Sequence, residues 1–286
     1  FPDSIKWRNS QSVFVNHTKA IAPPTLGVAT FDGLNKFGYP YNSTIASNTS
    51  NNLPPANSDT LTSAPIRLDS IPASQIGLSP ADSIYLSFYY QGRGYWEKPD
   101  QGDYFFLDLY GAKDTTWTQV WSHDGYLYNP DSTWHLVMIP ILDTAYFHNG
   151  FKFRFRNLSG ACGDIDHWHI DAVYLNNNRT GKDTMFTSTP SPANPFGDVS
   201  FVYDLQSPLK NYSQMPFNQY AGASDMKTNI GAFLRCNFPT DASVKTNYNF
   251  SDATGVIYTS PTPGSTTYTI IKIQAIVKTP PLSIHP

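Results

Sequence analysis

Alternation of apolar and polar side chains dominates the chain. From Phe151 to Arg156 three phenylalanines, Phe151, Phe153 and Phe155, alternate with Lys152, Arg154 and Arg156. This is the period-two pattern of a strand with one buried and one charged face. Ser83 to Tyr90, SIYLSFYY, alternates in the same way, and Tyr104 to Tyr110, YFFLDLY, is a mostly apolar run with Asp108 as its one charge. The same reading predicts strands at Ser12–Val15, Leu26–Phe31, Thr60–Leu68, Ser83–Gln91, Tyr104–Tyr110, Thr116–Ser122, Trp134–Ile141, Phe151–Asn157 and His167–Asn176. Short strands separated by turn residues point to an all-β protein whose residues 1–178 form an antiparallel two-sheet sandwich.

Residues 179–197 are polar and Pro-rich and read as a linker. Beyond them, Val199–Leu205, Asn229–Cys236, Val256–Thr259 and Thr266–Val277 are strand-like and predict a smaller β-sandwich over residues 198–279. The last of these runs, TTYTIIKIQAIV, reads as its buried central strand. Residues 280–286 read as an extended tail.

Composition agrees with this picture. The chain has 21 Asp against a single Glu, Glu97, with 27 Ser, 26 Thr and 23 Pro, a balance that favours turns and caps over helices. A formal net charge of -3 gives no electrostatic reason to expect a nucleic acid partner. No apolar run reaches the roughly 18 residues that a spanning helix needs, so no membrane insertion is expected. Phe1 is not an initiator residue, which is expected of a chain that has lost a leader or an upstream region. Two cysteines, Cys162 and Cys236, are compatible with one disulfide or two thiols.

Candidate chemistry concentrates around the loop that follows Phe155. His167-Trp168-His169 sets two imidazoles on one side of a strand, a spacing that can serve Zn²⁺, although no third ligand stands out and hydrogen-bonded histidines are the simpler account. Nucleophile motifs and a Gly-rich phosphate loop are absent from the sequence, and no facing carboxylate pair can be singled out. The chain is therefore read as non-catalytic. Tyr95 and Trp96 follow the flexible Gly92-Arg93-Gly94 and, with Tyr126, are candidate ligand-binding aromatics for a glycan.

The segments FPDSIKW, SVFVN, PPTLGVATFDGLNKFGYPY, DTLTSAPIRL, DSIYLSFYYQGRG, FKFRFRN and DHWHIDAVYLN, in that order, resemble the MAM-like, laminin-G-like jelly-roll domain of large secreted or cell-surface proteins of Bacteroidetes. The resemblance covers Phe1 to about Asn177, with GVATFDGLN its most specific piece. It implies a jelly roll, export of the type IX kind, an extracellular or outer-surface location, and one structural Ca²⁺. The matching acids are Asp32, Asp59 and Asp171, oxygen donors of the kind Ca²⁺ takes. Eight Asp-Ser/Thr pairs followed by an Ala, Ile, Leu, Met or Thr resemble the O-glycosylation signal of such proteins. The copies expected in loops would modify Ser4, Ser70, Thr115, Ser132, Thr144 and Thr184. The function expected is adhesion or assembly at a cell surface, with a glycan, a surface protein or further copies of the chain as partner. A carbohydrate-binding module and a filament or matrix subunit are the alternatives.

Overall fold

The computed structural model describes residues 2–8, 12–42, 56–71, 76–111, 116–125, 133–181, 199–227, 231–236, 242–245, 249–252, 255–259, 267–270 and 275–278. The chain divides into two compact units, Phe1–Met185 and Phe186–Pro286.

The first unit is built from β1 (Trp7–Arg8), β2 (Phe14–Asn16), β3 (Val28–Phe31), β4 (Ala56–Ser63), β5 (Ile66–Arg67), β6 (Tyr85–Gly92), β7 (Tyr104–Tyr110), β8 (Trp117–Asp124), β9 (His135–Pro140), β10 (Asn149–Ser159) and β11 (Trp168–Asn176). A six-stranded sheet runs in the order β1-β4-β10-β7-β8, with β5 also paired to β10. A five-stranded sheet runs β2-β3-β11-β6-β9. Every pairing is antiparallel, and the two sheets form a sandwich.

The alternating runs become the walls of its core. Phe151, Phe153 and Phe155 of β10 and Phe105, Leu107 and Leu109 of β7 point inward and are all buried. Phe88 and Leu86 of β6, Phe31 of β3 and Trp168 of β11 meet them from the other sheet. Phe105 stacks on Phe155 (5.9 Å) and on Trp168 (5.5 Å), while Phe88 meets Phe155 edge-on at 4.9 Å. Such ring pairs add about 0.5–1.5 kcal/mol each beyond area burial.

One expected strand is interrupted. The run Thr60–Leu68 is split into β4 and β5, both on the same side of β10. Pro65 lies between them and has no N–H for the ladder. Phe153 N donates instead to Ser63 Oγ (3.1 Å).

The outer faces differ. On the five-stranded sheet, Gln91 and Ser87 are 0% exposed because chain segments lie across them. Gln91 pairs through its amide with both Ile21 N and Ile21 O (2.9 Å each), and Arg179 Nη1 donates to Ser87 Oγ (2.8 Å). The six-stranded sheet presents its own side chains outward, Tyr104, Phe106, Asp108 and Tyr110 from β7 beside Lys152, Arg154 and Arg156 from β10.

In the second unit the described strands are β12 (Val199–Phe201), β13 (Gly231–Cys236), β14 (Ala242–Lys245), β15 (Asn249–Asp252), β16 (Gly255–Thr259), β17 (Thr267–Ile270) and β18 (Ala275–Lys278). They form an antiparallel sheet in the order β12-β13-β18 and two antiparallel pairs, β14-β17 and β15-β16. The run expected as one central strand, Thr266–Val277, supplies β17 and β18, which pair with different partners; among the described residues β13 is the central strand. Cys162, in the first unit, and Cys236, in the second, are both thiols. The expected linker lies almost wholly outside the described residues, and the tail does so entirely.

Candidate functional site

Three segments converge at one end of the sandwich. Asn16 closes β2 with a turn in which its Oδ1 accepts from Lys19 N (2.9 Å), and this aims Lys19 across the end of the sheet. Asp32 follows β3 directly, and Leu34 N donates back to its Oδ1 (2.7 Å). Asp164 belongs to the loop before β11, and His167 immediately precedes that strand. Gly33 holds the second and third segments together, because its N–H donates to Gly163 O (3.0 Å) and a Cβ there would come within 2.7 Å of the same oxygen.

The four side chains form one ionic cluster. The Lys19 ammonium bonds Asp164 Oδ1, lies 3.7 Å from Asp32 Oδ2 and stands 3.5 Å from His167 Nε2. His167 Nε2 is also 2.8 Å from Asp164 Oδ1. Beneath them Asp59, 1% exposed, accepts from Asp32 N (2.9 Å) and from the Tyr41 hydroxyl (2.9 Å).

One lysine does not offset this many acids. Burial pushes the Asp59 carboxyl up to about 8 and that of Asp32 up to about 6. Burial and the adjacent Asp59 raise the Tyr41 hydroxyl. Asp164 is the exception: burial works against its charge, but the bonds to Lys19 and His167 outweigh it and hold the carboxyl below its ordinary range. Burial lowers His167. Near neutrality the Asp59 carboxyl thus keeps its proton, while Asp164 and most of Asp32 are ionised around the single ammonium of Lys19.

Ligand atoms of Asp32, Asp164 and His167 all lie within 4.8 Å of one another, so this group can hold a metal ion. Two carboxylates and an imidazole form a mixed oxygen–nitrogen set of the kind Zn²⁺ takes, rather than the all-oxygen shell of Ca²⁺. The Lys19 ammonium occupies the position where such an ion would sit.

Beside the cluster a cleft of about 230 Å³ is lined by Lys19, Asp32 and Asp164 together with Phe14, Asn35 and Lys36. Phe14 is half exposed, and Phe37 and Tyr39 on the neighbouring turn are more so. The loop carrying Tyr95 and Trp96 is fastened to this end of the sandwich. Arg93 N donates to His167 O, Tyr95 N to Lys19 O (2.8 Å), and His167 N to Glu97 O. Gly94 makes that approach possible, since its φ is +68° and a Cβ would lie 2.2 Å from Lys19 O. Tyr95 and Trp96 are left 63% and 56% exposed.

A second acidic pair lies behind the same loop. Asp103 and Asp166 are each 4% exposed and share a hydrogen bond. Burial pushes Asp103 up to about 7 and Asp166 up to about 6. Asp100 N donates to Asp103 Oδ2 (2.7 Å) and Gly160 N to Asp166 Oδ2 (3.0 Å), so both carboxyls tie loops together.

Of the three acids expected to share one ion, Asp32 and Asp59 come together and Asp171 does not. Asp171 lies farther along β11, opposite Tyr89, and its oxygens accept from Thr25 N, Thr25 Oγ1 and Ala172 N. His169 is engaged on both nitrogens: Nδ1 lies 2.9 Å from Thr30 Oγ1, which accepts from Asn16 Nδ2, and Nε2 is 3.2 Å from Arg93 O. Burial lowers it to about 3, so it is neutral. Tyr126, Thr115, Ser132 and Thr184 lie outside the described residues. Ser4 and Thr144 are exposed, Ser70 half-buried. Asp3 and Asp143, which precede Ser4 and Thr144, accept from backbone N–H groups two residues on, so these acids build turns.

No protein-family model and no curated protein matches the chain. Solved structures similar to it include a carbohydrate-binding module specific for non-crystalline cellulose, CBM28, 12% identical over 59% of this chain and 86% of that one, with a TM-score of 0.34. A cyclase from Fischerella sp. TAU in complex with 4-(1H-indol-3-yl)butan-2-one is 10% identical over 62% and 91%, with a TM-score of 0.24. The Stig cyclase Fisc from the same source is 8% identical over 58% and 85%, with a TM-score of 0.23. The chain is a β-sandwich that distantly resembles these proteins, and the likeness assigns neither a family nor a taxon.

Proposed function

We propose that the first unit is a non-catalytic glycan-binding sandwich serving adhesion on an extracellular bacterial surface, of the Bacteroidetes kind to which its motifs are similar. The observation that carries this reading is the convergence at one end of the sandwich. Exposed Tyr95 and Trp96 are fastened by backbone bonds to the segment that supplies Lys19, beside a cleft lined by Asp32, Asn35 and Asp164. Sugar rings stack on aromatic faces while their hydroxyls bond carboxylates and amides, and this end offers both. The Lys19 ammonium, wedged between the carboxylates, argues for recognition rather than hydrolysis.

The test is a glycan array probed with the full chain, repeated with W96A and Y95A. Binding of a neutral glycan that falls at least about tenfold in W96A, without a change in melting temperature, supports the reading. Binding indifferent to both substitutions, or no binding across the array, rejects it.

For the cation, we propose that a divalent ion enters the Asp32–Asp164–His167 group only by displacing Lys19. Ca²⁺, the ion expected from the sequence, would then raise the melting temperature little in the native protein and more in K19M. An equal response in both proteins rules out the exchange.

A further inference from the structure

The outer face of the six-stranded sheet carries a second surface with its own chemistry. Lys152, Arg154 and Arg156 stand at alternate positions of β10, about 6.6–6.8 Å apart along the strand. Asp108 on β7 organises two of them: its Oδ2 accepts from Arg154 Nε (2.7 Å) and Arg156 Nε (2.8 Å), and its Oδ1 from Arg156 Nη2 (3.2 Å). The guanidiniums are also seated on rings, Arg154 over Trp117 (4.4 Å) and Arg156 over Phe106 (4.0 Å), and the Lys152 ammonium lies 4.1 Å from the Tyr110 ring centre. Cation–π seating of this kind holds a charge in place without neutralising it.

The charges are therefore positioned but only partly spent. Among the described residues, both terminal Nη atoms of Arg154 lack a hydrogen-bond partner and Lys152 has no acid partner. Arg8 extends the set: it pairs with Thr62, Thr62 with Arg154, and Arg154 with Asp108, so the exposed Arg8 lies two strands, about 10 Å, from Arg154. The acids on these rows are Asp108 and, opposite Tyr104, Asp124. A positive face thus stands on a chain whose formal net charge is -3.

We propose that this face binds an anionic polysaccharide, its carboxylate or sulfate groups bonding the free Nη atoms of Arg154 and the Lys152 ammonium while sugar rings lie against Tyr110 and Trp117. An Arg fork fits a planar carboxylate in two-point contact. The repeated cation spacing along β10 suits a polymer with an acid on each sugar. Nucleic acid is the poorer fit, because its affinity rests on neutralising many phosphates and these rows hold four cations against two acids.

The experiment is affinity electrophoresis of the full chain at low ionic strength through gels containing polygalacturonate, dextran sulfate or neutral dextran, with a single-stranded DNA oligonucleotide as a fourth probe. Retardation by polygalacturonate or dextran sulfate and not by dextran is expected, with affinity down about tenfold in R154Q and about threefold in K152Q. The two acidic gels tell carboxylate from sulfate. K152Q touches no carboxylate and preserves the Asp108 cluster, so it reports on binding even if R154Q fails to fold. Y95A and W96A leave this binding unchanged, which separates it from recognition at the end cleft. No retardation by either acidic polymer, retardation unaltered in K152Q, or DNA binding as tight as polysaccharide binding overturns the proposal.

Discussion

Asp108 on the outer face of the six-stranded sheet and Asp59 beneath the end cluster are both 1% exposed, yet their surroundings treat the charge in opposite ways. Asp108 has two guanidiniums to itself, held at 2.7 and 2.8 Å. Asp59 lies behind Asp32 and Asp164, and the three carboxyl groups have one ammonium, Lys19, among them. Burial costs a charge dearly unless a partner is close. Where partners outnumber acids each carboxylate oxygen finds a cation; where acids outnumber partners, protons fill the gap.

Substitutions at the two sites sharpen this contrast. The largest effect is expected for D108A, which leaves Arg154 and Arg156 facing each other without their anion. It should cost about 3 kcal/mol by urea denaturation. A cost below that of an ordinary surface change would mean that the ring contacts alone hold the arginines.

K19M comes next, at about 2 kcal/mol above pH 8, where Asp32 and Asp164 are both ionised. Below about pH 6 the penalty should shrink, because Asp32 takes up a proton and repels Asp164 less. A penalty that does not change with pH would show that the cluster is not short of cations.

The smallest effect is a slope. Asp59 is raised from an ordinary 3.8 to about 8 and Asp103 to about 7. Their stabilising contribution is complete below the unfolded value and is lost as pH rises through the folded one, so the native protein should weaken between about pH 6 and 8. Histidines lowered by burial act below their ordinary 6.5 and in the opposite sense. D59N should remove up to about 2 kcal/mol of the decline while keeping both hydrogen bonds in reach. Melting temperatures that are flat across this window in the native protein would refute the raised carboxyls.

Local pattern made most of the sandwich legible. Tyr104–Tyr110 is a strand at the bounds expected, and the inward set Phe151, Phe153 and Phe155 follows from alternation alone. β1 was missed because Trp7–Arg8 is too short to show a period. The break at Pro65 falls inside a run that alternation alone reads as continuous.

The site was less legible, because it depends on contacts between distant residues. Asp32 and Asp59 were drawn from motif resemblance, but Lys19 meets Asp164 across 145 positions, and nothing in a lysine between Thr18 and Ala20 announces that. Asp171 was grouped with them by the same resemblance, although β11 carries it two residues beyond His169, where it bonds Thr25. The exposure of Tyr95 and Trp96 was legible because they follow Gly92-Arg93-Gly94, a run whose composition marks a surface loop.

The proton-bearing acids change how the folded chain should migrate in an electric field. The formal value of -3 counts every carboxylate as ionised, whereas Asp59 at about 8 and Asp103 at about 7 keep roughly one and a half protons between them at neutral pH. Unfolding would release those protons into the buffer. The native protein is therefore less anionic than its unfolded form, by about one to two charges. Native gels and proton-release measurements read that difference directly.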